Sequence, residues 1–176
     1  MKNFLKKEKL LATSVVEIIA VVFIALVLLS VTISYSKQSS KIILLNRDVI
    51  HLSAKLTQAK NLSLALLKEE SGISHICAWG LHFPTSTPSE YYLFFDKAND
   101  CDSSDKKWTD NSETKEVIFL DQGIEITDIN FNDILFWPPD PTVYFHPKVN
   151  QGTIIISTGN YQKKIKINKL GQLSFE

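Results

Sequence analysis

Glycine and proline are absent from the first seventy residues of this chain, and cysteine occurs only at Cys77 and Cys101. Without helix breakers, the N-terminal segment is free to run as uninterrupted helix. Two cysteines are too few for a structural zinc site. In an exported domain they can pair, but two thiols that never meet fit the sequence equally well, because spacing alone supplies no geometry. Net charge is also missing: 19 Lys and Arg balance 19 Asp and Glu. That excludes a chain-wide electrostatic appetite for nucleic acid or acidic lipid. His51, His75, His82 and His146 show no metal-ligand spacing. His75 and His82 are odd-spaced in one predicted strand, which puts them on opposite faces as structural or surface residues. There is no nucleophile elbow and no phosphate-cradling glycine loop. The expectation is a chain that is not an enzyme and needs no cofactor.

What the chain has in quantity is apolar sequence near its start. Leu10 to Ile33 is almost wholly apolar, and about 20 such residues suffice to cross a bilayer as a helix. Lys2, Lys6, Lys7 and Lys9 precede it, which predicts a cytoplasmic N-terminus and an extracytoplasmic C-terminal domain. No small-residue cut site of the secretory type follows the run. One residue breaks the pattern. Glu17 lies inside the apolar stretch, and a carboxylate there costs a few kcal/mol, so such residues usually have a partner or a task.

The residues around it carry a resemblance. Leu11-Ala12-Thr13-Ser14-Val15-Val16-Glu17-Ile18-Ile19, behind a basic leader, resembles the processing signal of type IV pilins and type II secretion pseudopilins. The resemblance implies a leader over residues 1–12, cleavage by a prepilin peptidase between Ala12 and Thr13, and methylation of the new N-terminus. Ala12 stands where the family usually has Gly, and Thr13 where it usually has Phe or Met. Glu17 would then be the fifth residue of the mature chain. In the family, this glutamate pairs with the N-terminal amine of a neighbouring subunit. A buried carboxylate and a buried ammonium are each costly alone and tolerable together.

Beyond a transmembrane segment over 13–35, an amphipathic continuation is expected over 36–70. Leu45, Val49, Leu52, Leu56 and Ala59 recur at spacings of four and three, and Leu62 and Leu66 extend the stripe. Arg47, Lys55 and Lys60 fall among the polar positions. The stripe must be buried, and packing on the sheet that follows is the favoured solution. Gly72 is a fitting helix stop.

Residues 71–176 read as short strands separated by turns. Candidate strands lie at 73–83, 90–95, 115–120, 124–131, 142–145, 153–157, 163–167 and 172–175. Ile124 and Ile126 alternate, and Ile129 and Phe131 follow after a slip. Thr153 to Ile167 is a hairpin about Gly159-Asn160. The fold class is α+β: a long N-terminal helix on an antiparallel, pilin-like sheet domain. The Gln58-Ala59 region of the helix and the order of strands and Asp-rich loop also resemble minor pseudopilins of the GspH/FimT type.

Asp96, Asn99, Asp100 and Asp102 offer oxygen ligands in one short loop. They lack the spacing and bidentate Glu of an EF-hand, and read as a solvated turn more readily than a calcium site. Lys163, Lys164, Lys166 and Lys169 read as a wet strand face; some relatives of the resembled type that take up DNA carry an Arg-rich motif near the C-terminus, and the resemblance implies no DNA binding here, because Asn168 to Leu173 has no arginine. The expected partners are other pilin or pseudopilin subunits, the prepilin peptidase and inner-membrane assembly machinery. The competing expectation is an uncleaved, signal-anchored envelope protein with a partner-binding β domain.

Overall fold

The computed structural model describes residues 2–65, 75–138 and 142–176, with side chains from Val15 onward apart from Ser34 and Lys37. The expected stop at Gly72, the stripe position Leu66 and part of the turn at 138–141 lie outside the described residues. One helix, α1 (Lys2–Leu64), precedes nine described strands. These are β1 (His75–His82), β2 (Glu90–Ala98), β3 (Thr114–Phe119), β4 (Glu125–Ile129), β5 (Asp133–Trp137), β6 (Thr142–His146), β7 (Gly152–Thr158), β8 (Tyr161–Ile167) and β9 (Leu173–Phe175). The α+β class is thus as expected. The helix begins earlier than the sequence suggests: α1 already includes Lys2 to Thr13. Its lysines and leucines are strong helix formers with no breaker among them.

The chain divides into two compact units, Met1–Lys41 and Ile42–Glu176. Within the second, the helical residues 42–64 carry the predicted stripe. Leu45, Val49, Leu52, Leu56 and Ala59 are all buried in one core with residues of both sheets. Each fully buried leucine contributes about 2 kcal/mol. Polar ties fix the register. The Ser63 hydroxyl donates to the Phe136 carbonyl and accepts from the Trp79 N–H at 3.2 Å. Lys55 pairs with Glu116 at 2.6 Å, and Arg47 pairs with Asp121. Asp48, buried, accepts the Asp121 N–H at 2.8 Å.

The strands form a five-stranded antiparallel sheet, β3-β2-β1-β5-β6, and a four-stranded one, β4-β7-β8-β9. Trp79, Leu81, Ile134 and Phe136 face the core from the first sheet, and Ile154, Ile156, Ile165 and Ile167 from the second. The opposite face of the first sheet carries a smaller cluster of Ala78, Phe94 and Leu135, with Trp108 and Trp137 against it. Gly80 sits on that face because nothing larger fits: a Cβ there would lie 2.2 Å from the Ile134 carbonyl oxygen. The hairpin turn is where it was expected, with Thr158 opposite Tyr161 and Gly159 at φ +58°, a conformation glycine adopts without strain.

Two β-bulges reorganise the predicted faces. An extra residue at Cys77 shifts β1 against β2, so His75 pairs with Ala98 and His82 with Tyr92. Those partners are evenly spaced on an unbroken strand, so the two histidines share a face rather than opposing each other. The slip in β4 is a second bulge, between Ile126 and Asp128 opposite β7.

Candidate functional site: an apolar helix with one carboxylate

From Val15 to Ile33 every residue of α1 is exposed, whichever way it points around the helix. The helix is long and apolar enough to cross a membrane, and none of that apolar stretch is covered by the protein. Its hydroxyls suit such a setting. Thr32 donates to the Leu28 carbonyl at 2.8 Å, satisfying its own side chain within the helix. Just beyond the apolar run, Ser40 does the same with Ser36 at 2.9 Å.

Glu17 is the sole charged side chain between Lys9 and Lys37, and it is exposed on this helix. A helix offers a carboxylate no intrahelical backbone donor in mid-run, so Glu17 must find its partner in another group. The backbone of Ala12 and Thr13 lies within α1, while their side chains are outside the described residues. The structure therefore places the Ala12–Thr13 bond and Glu17 on one continuous helix.

The other predicted sites fall on the second unit. Cys77 and Cys101 are joined by a disulfide, with S–S 2.00 Å. The bond anchors a strap, residues 99–113, across the outer face of the five-stranded sheet. Lys106, at φ 55°, holds its ammonium 4.7 Å from the Trp137 ring centre and 4.8 Å from that of Tyr144. Trp108 stacks on His82 with ring centres 4.2 Å apart, and its indole N–H donates to the Thr114 hydroxyl at 3.0 Å. The His82 Nδ1 lies 2.6 Å from the carboxylate of buried Asp133.

Two of the candidate ligands in the Asp-rich loop, Asp96 and Asp100, bond within the loop. Asp96 is buried and accepts the Ser104 hydroxyl, while Asp100 caps the 3-10 turn Cys101–Ser103 through the Asp102 N–H at 3.2 Å. Glu113, buried, takes the Thr109 N–H at 2.8 Å. Burial holds the carboxyls of Asp96 and Glu113 above their ordinary range, against these hydrogen bonds. Among the described residues, no group of three or more His, Cys, Asp or Glu is placed to hold a metal ion. On β8, Lys166 pairs with Glu176.

Comparison with protein-family models, with curated proteins and with solved structures gives no match.

Three features of the second unit left no mark in the sequence reading. Asp48 is a charged residue on a helix, a type normally read as solvated. Asp133 begins a strand that alternation does not mark. Trp108 and Lys106 lie in a loop whose composition signals only a turn. The odd-looking Trp in that Asp-rich loop was the one available signal, since a large aromatic is costly to leave in water.

Proposed function

We propose that the chain is a prepilin-like subunit, a structural component of a type IV pilus or type II secretion-like filament. It is stored in the inner membrane by the apolar part of α1, with its lysine-rich start in the cytoplasm and its β domain on the far side. A prepilin peptidase cuts between Ala12 and Thr13, and the subunit enters a filament through its helix. The protein is then acted upon and is not itself a catalyst. The observation that carries this reading is Glu17: one carboxylate in an apolar run exposed on all sides, five positions after a bond flanked by two small residues. Cleavage there would create an ammonium at Thr13, and a neighbouring copy's ammonium is the partner Glu17 lacks within its helix.

Mass spectrometry of the N-terminus, in cells with an active prepilin peptidase, tests it. A methylated Thr13 terminus is the expected result, and an intact Met1 or Lys2 refutes the reading. The competing reading is an uncleaved, signal-anchored envelope protein with a partner-binding β domain. The same measurement separates the two.

A further inference from the structure

The described strands leave four sheet edges, β3 and β6 on one sheet and β4 and β9 on the other. Three of them are closed or short. On β6, Val143 donates its N–H to the Lys169 carbonyl at 3.1 Å, and on β4, Ile126 donates to the Pro88 carbonyl at 2.8 Å. β9 is only three residues long. β3 is different. One side of it pairs with β2, and just past its end the Leu120 N–H donates to the Ser89 carbonyl at 2.8 Å. Backbone groups alternate along an antiparallel ladder, so Ile118 also turns its N–H and C=O towards β2, while Val117 and Phe119 turn theirs away. Among the described residues, no backbone group of another segment meets them there.

The side chains along this edge are uncovered as well. Phe119, at 69% exposure, is the most exposed large apolar side chain described in the second unit, and Val117 is 43% exposed. Both lie on the outer face of the five-stranded sheet, opposite Glu90 and Tyr92 of β2. Glu116 lies on the other face, and 45% of its side chain stays exposed although it pairs with Lys55. A β-bulge bounds the stretch on one side, with Lys115 as the extra residue against β2. The turn at Gly123, φ +80°, bounds it on the other. The open stretch is Glu116 to Leu120.

We propose that this stretch takes up an extended segment of a different protein as an added antiparallel strand. A row of unpaired N–H and C=O groups is complementary to an extended backbone, which supplies the missing half of the ladder. The side chains define the segment's chemistry. Two apolar residues, two positions apart, fall opposite Phe119 and Val117, and the residue after them, facing Glu116, is basic. A second copy of β3 does not meet that requirement. Antiparallel registers that keep side chains on matching faces set Leu120, Ile118 or Glu116 against Glu116, and never a base. The contact needs neither cleavage nor Glu17, so it goes beyond the filament reading and does not rest on it.

Fluorescence anisotropy of a labelled peptide, acetyl-Thr-Val-Thr-Val-Lys, titrated with the full chain in detergent micelles, tests it. In the added strand the two valines turn their N–H groups towards β3. Saturable binding is the expected result. Methylating both valine nitrogens should weaken it about tenfold, because two ladder hydrogen bonds are lost. Methylating both threonine nitrogens, which face away, should change it less than about twofold. Val117→Pro removes an outward N–H and leaves the bonds to β2 in place, so it should weaken binding about fivefold. Phe119→Ser, which leaves the backbone intact, should weaken it by a similar factor through lost apolar contact. Glu116→Gln should erase the preference for the lysine-ended peptide over one ending in glutamine. Tryptophan-detected unfolding midpoints close to the parent's show that the variants are folded. The absence of saturable binding, equal binding of the two methylated peptides, or binding indifferent to all three substitutions would overturn the proposal. So would a free chain that sediments as a dimer until peptide is added, which would assign the edge to a second copy.

Discussion

The two halves of α1 use the same kinds of apolar side chain in opposite ways. Between Val15 and Ile33 they surround the helix, and even the least exposed large one, Val27, is 47% accessible. Between Leu45 and Ala59 they form a single stripe of at most 7% exposure, while Ile43 and Ile50 stand out at 63% and 68%. A ring of apolar residues has no preferred side, so no one sheet can cover it, and its natural solvent is lipid or other helices. A stripe is matched by one partner, and this chain supplies that partner from its own strands. The carboxylates follow suit. Asp48, in the striped half, has an in-chain donor in the Asp121 N–H, whereas Glu17 must look outside its helix. The lesson is that the angular spread of apolar residues, more than their number, separates a core element from an element that seeks company.

The sharpest way to break this comparison is to make the same change in both halves. Leu52 is fully buried, so Leu52→Ala should cost about 4 kcal/mol through lost burial and an unfilled cavity. Leu26, at 60% exposure, should lose less than about 0.5 kcal/mol on the same substitution. Urea denaturation of the full chain in detergent, followed by tryptophan fluorescence, measures both. Trp79, Trp108 and Trp137 all lie in the second unit, so the signal reports on that unit alone. Equal losses would mean that the first half also has a core within this chain.

The stripe was legible because a single buried face of a helix leaves a period that survives in one sequence. All five stripe residues with described side chains from Leu45 to Ala59 are core. The hairpin about Gly159 was legible because a tight turn demands particular residues. β5 was not legible. Its run Asp-Ile-Leu-Phe-Trp lies between β1 and β6 and is buried on both faces, so it shows no alternation to detect. The shared face of His75 and His82 was lost to the Cys77 bulge, since one extra residue inverts every side chain beyond it. In the first half the sequence offered Ala12, Thr13 and Glu17 through resemblance to a processing signal, a link that packing within one chain does not exercise.

The strap sharpens the comparison by asking whether the second unit depends on the helix alone. The disulfide spans 24 positions, and a loop of that size is worth about 3.5 kcal/mol in chain entropy. Cys77→Ser with Cys101→Ser should lower stability by that amount in the same denaturation experiment. A loss below about 1 kcal/mol would assign the strap's hold to Lys106 and Trp108. In the first half, Leu26→Lys should cost about 3 kcal/mol of insertion, seen as transfer of the protein from the alkali-resistant membrane fraction to the soluble one. Unchanged membrane retention would separate the apolar ring from any membrane role.

The smallest expected effect sets Asp48 apart from every exposed acid on the helix. Burial raises its carboxyl above the usual range, outweighing the Asp121 N–H that favours the charged form. In the unfolded chain the same carboxyl ionises at its ordinary value. As pH rises through the interval between the two, the unfolded state gives up its proton first, so the folded state loses stability. Acidifying from neutral pH into the range just above the ordinary carboxylate value should therefore stabilise the second unit, with Asp96 and Glu113 acting in the same direction. Asp48→Asn keeps an oxygen for the Asp121 N–H and removes the buried charge. It should raise stability at pH 7 by less than about 1 kcal/mol and flatten the pH dependence by Asp48's share. Denaturation midpoints of the variant and the parent, measured in steps from neutral pH down to the ordinary carboxylate value, decide the matter. If the variant keeps the parent's full slope, Asp48 is not the group that titrates, and the carboxylate of the striped half is as free of its surroundings as an exposed one.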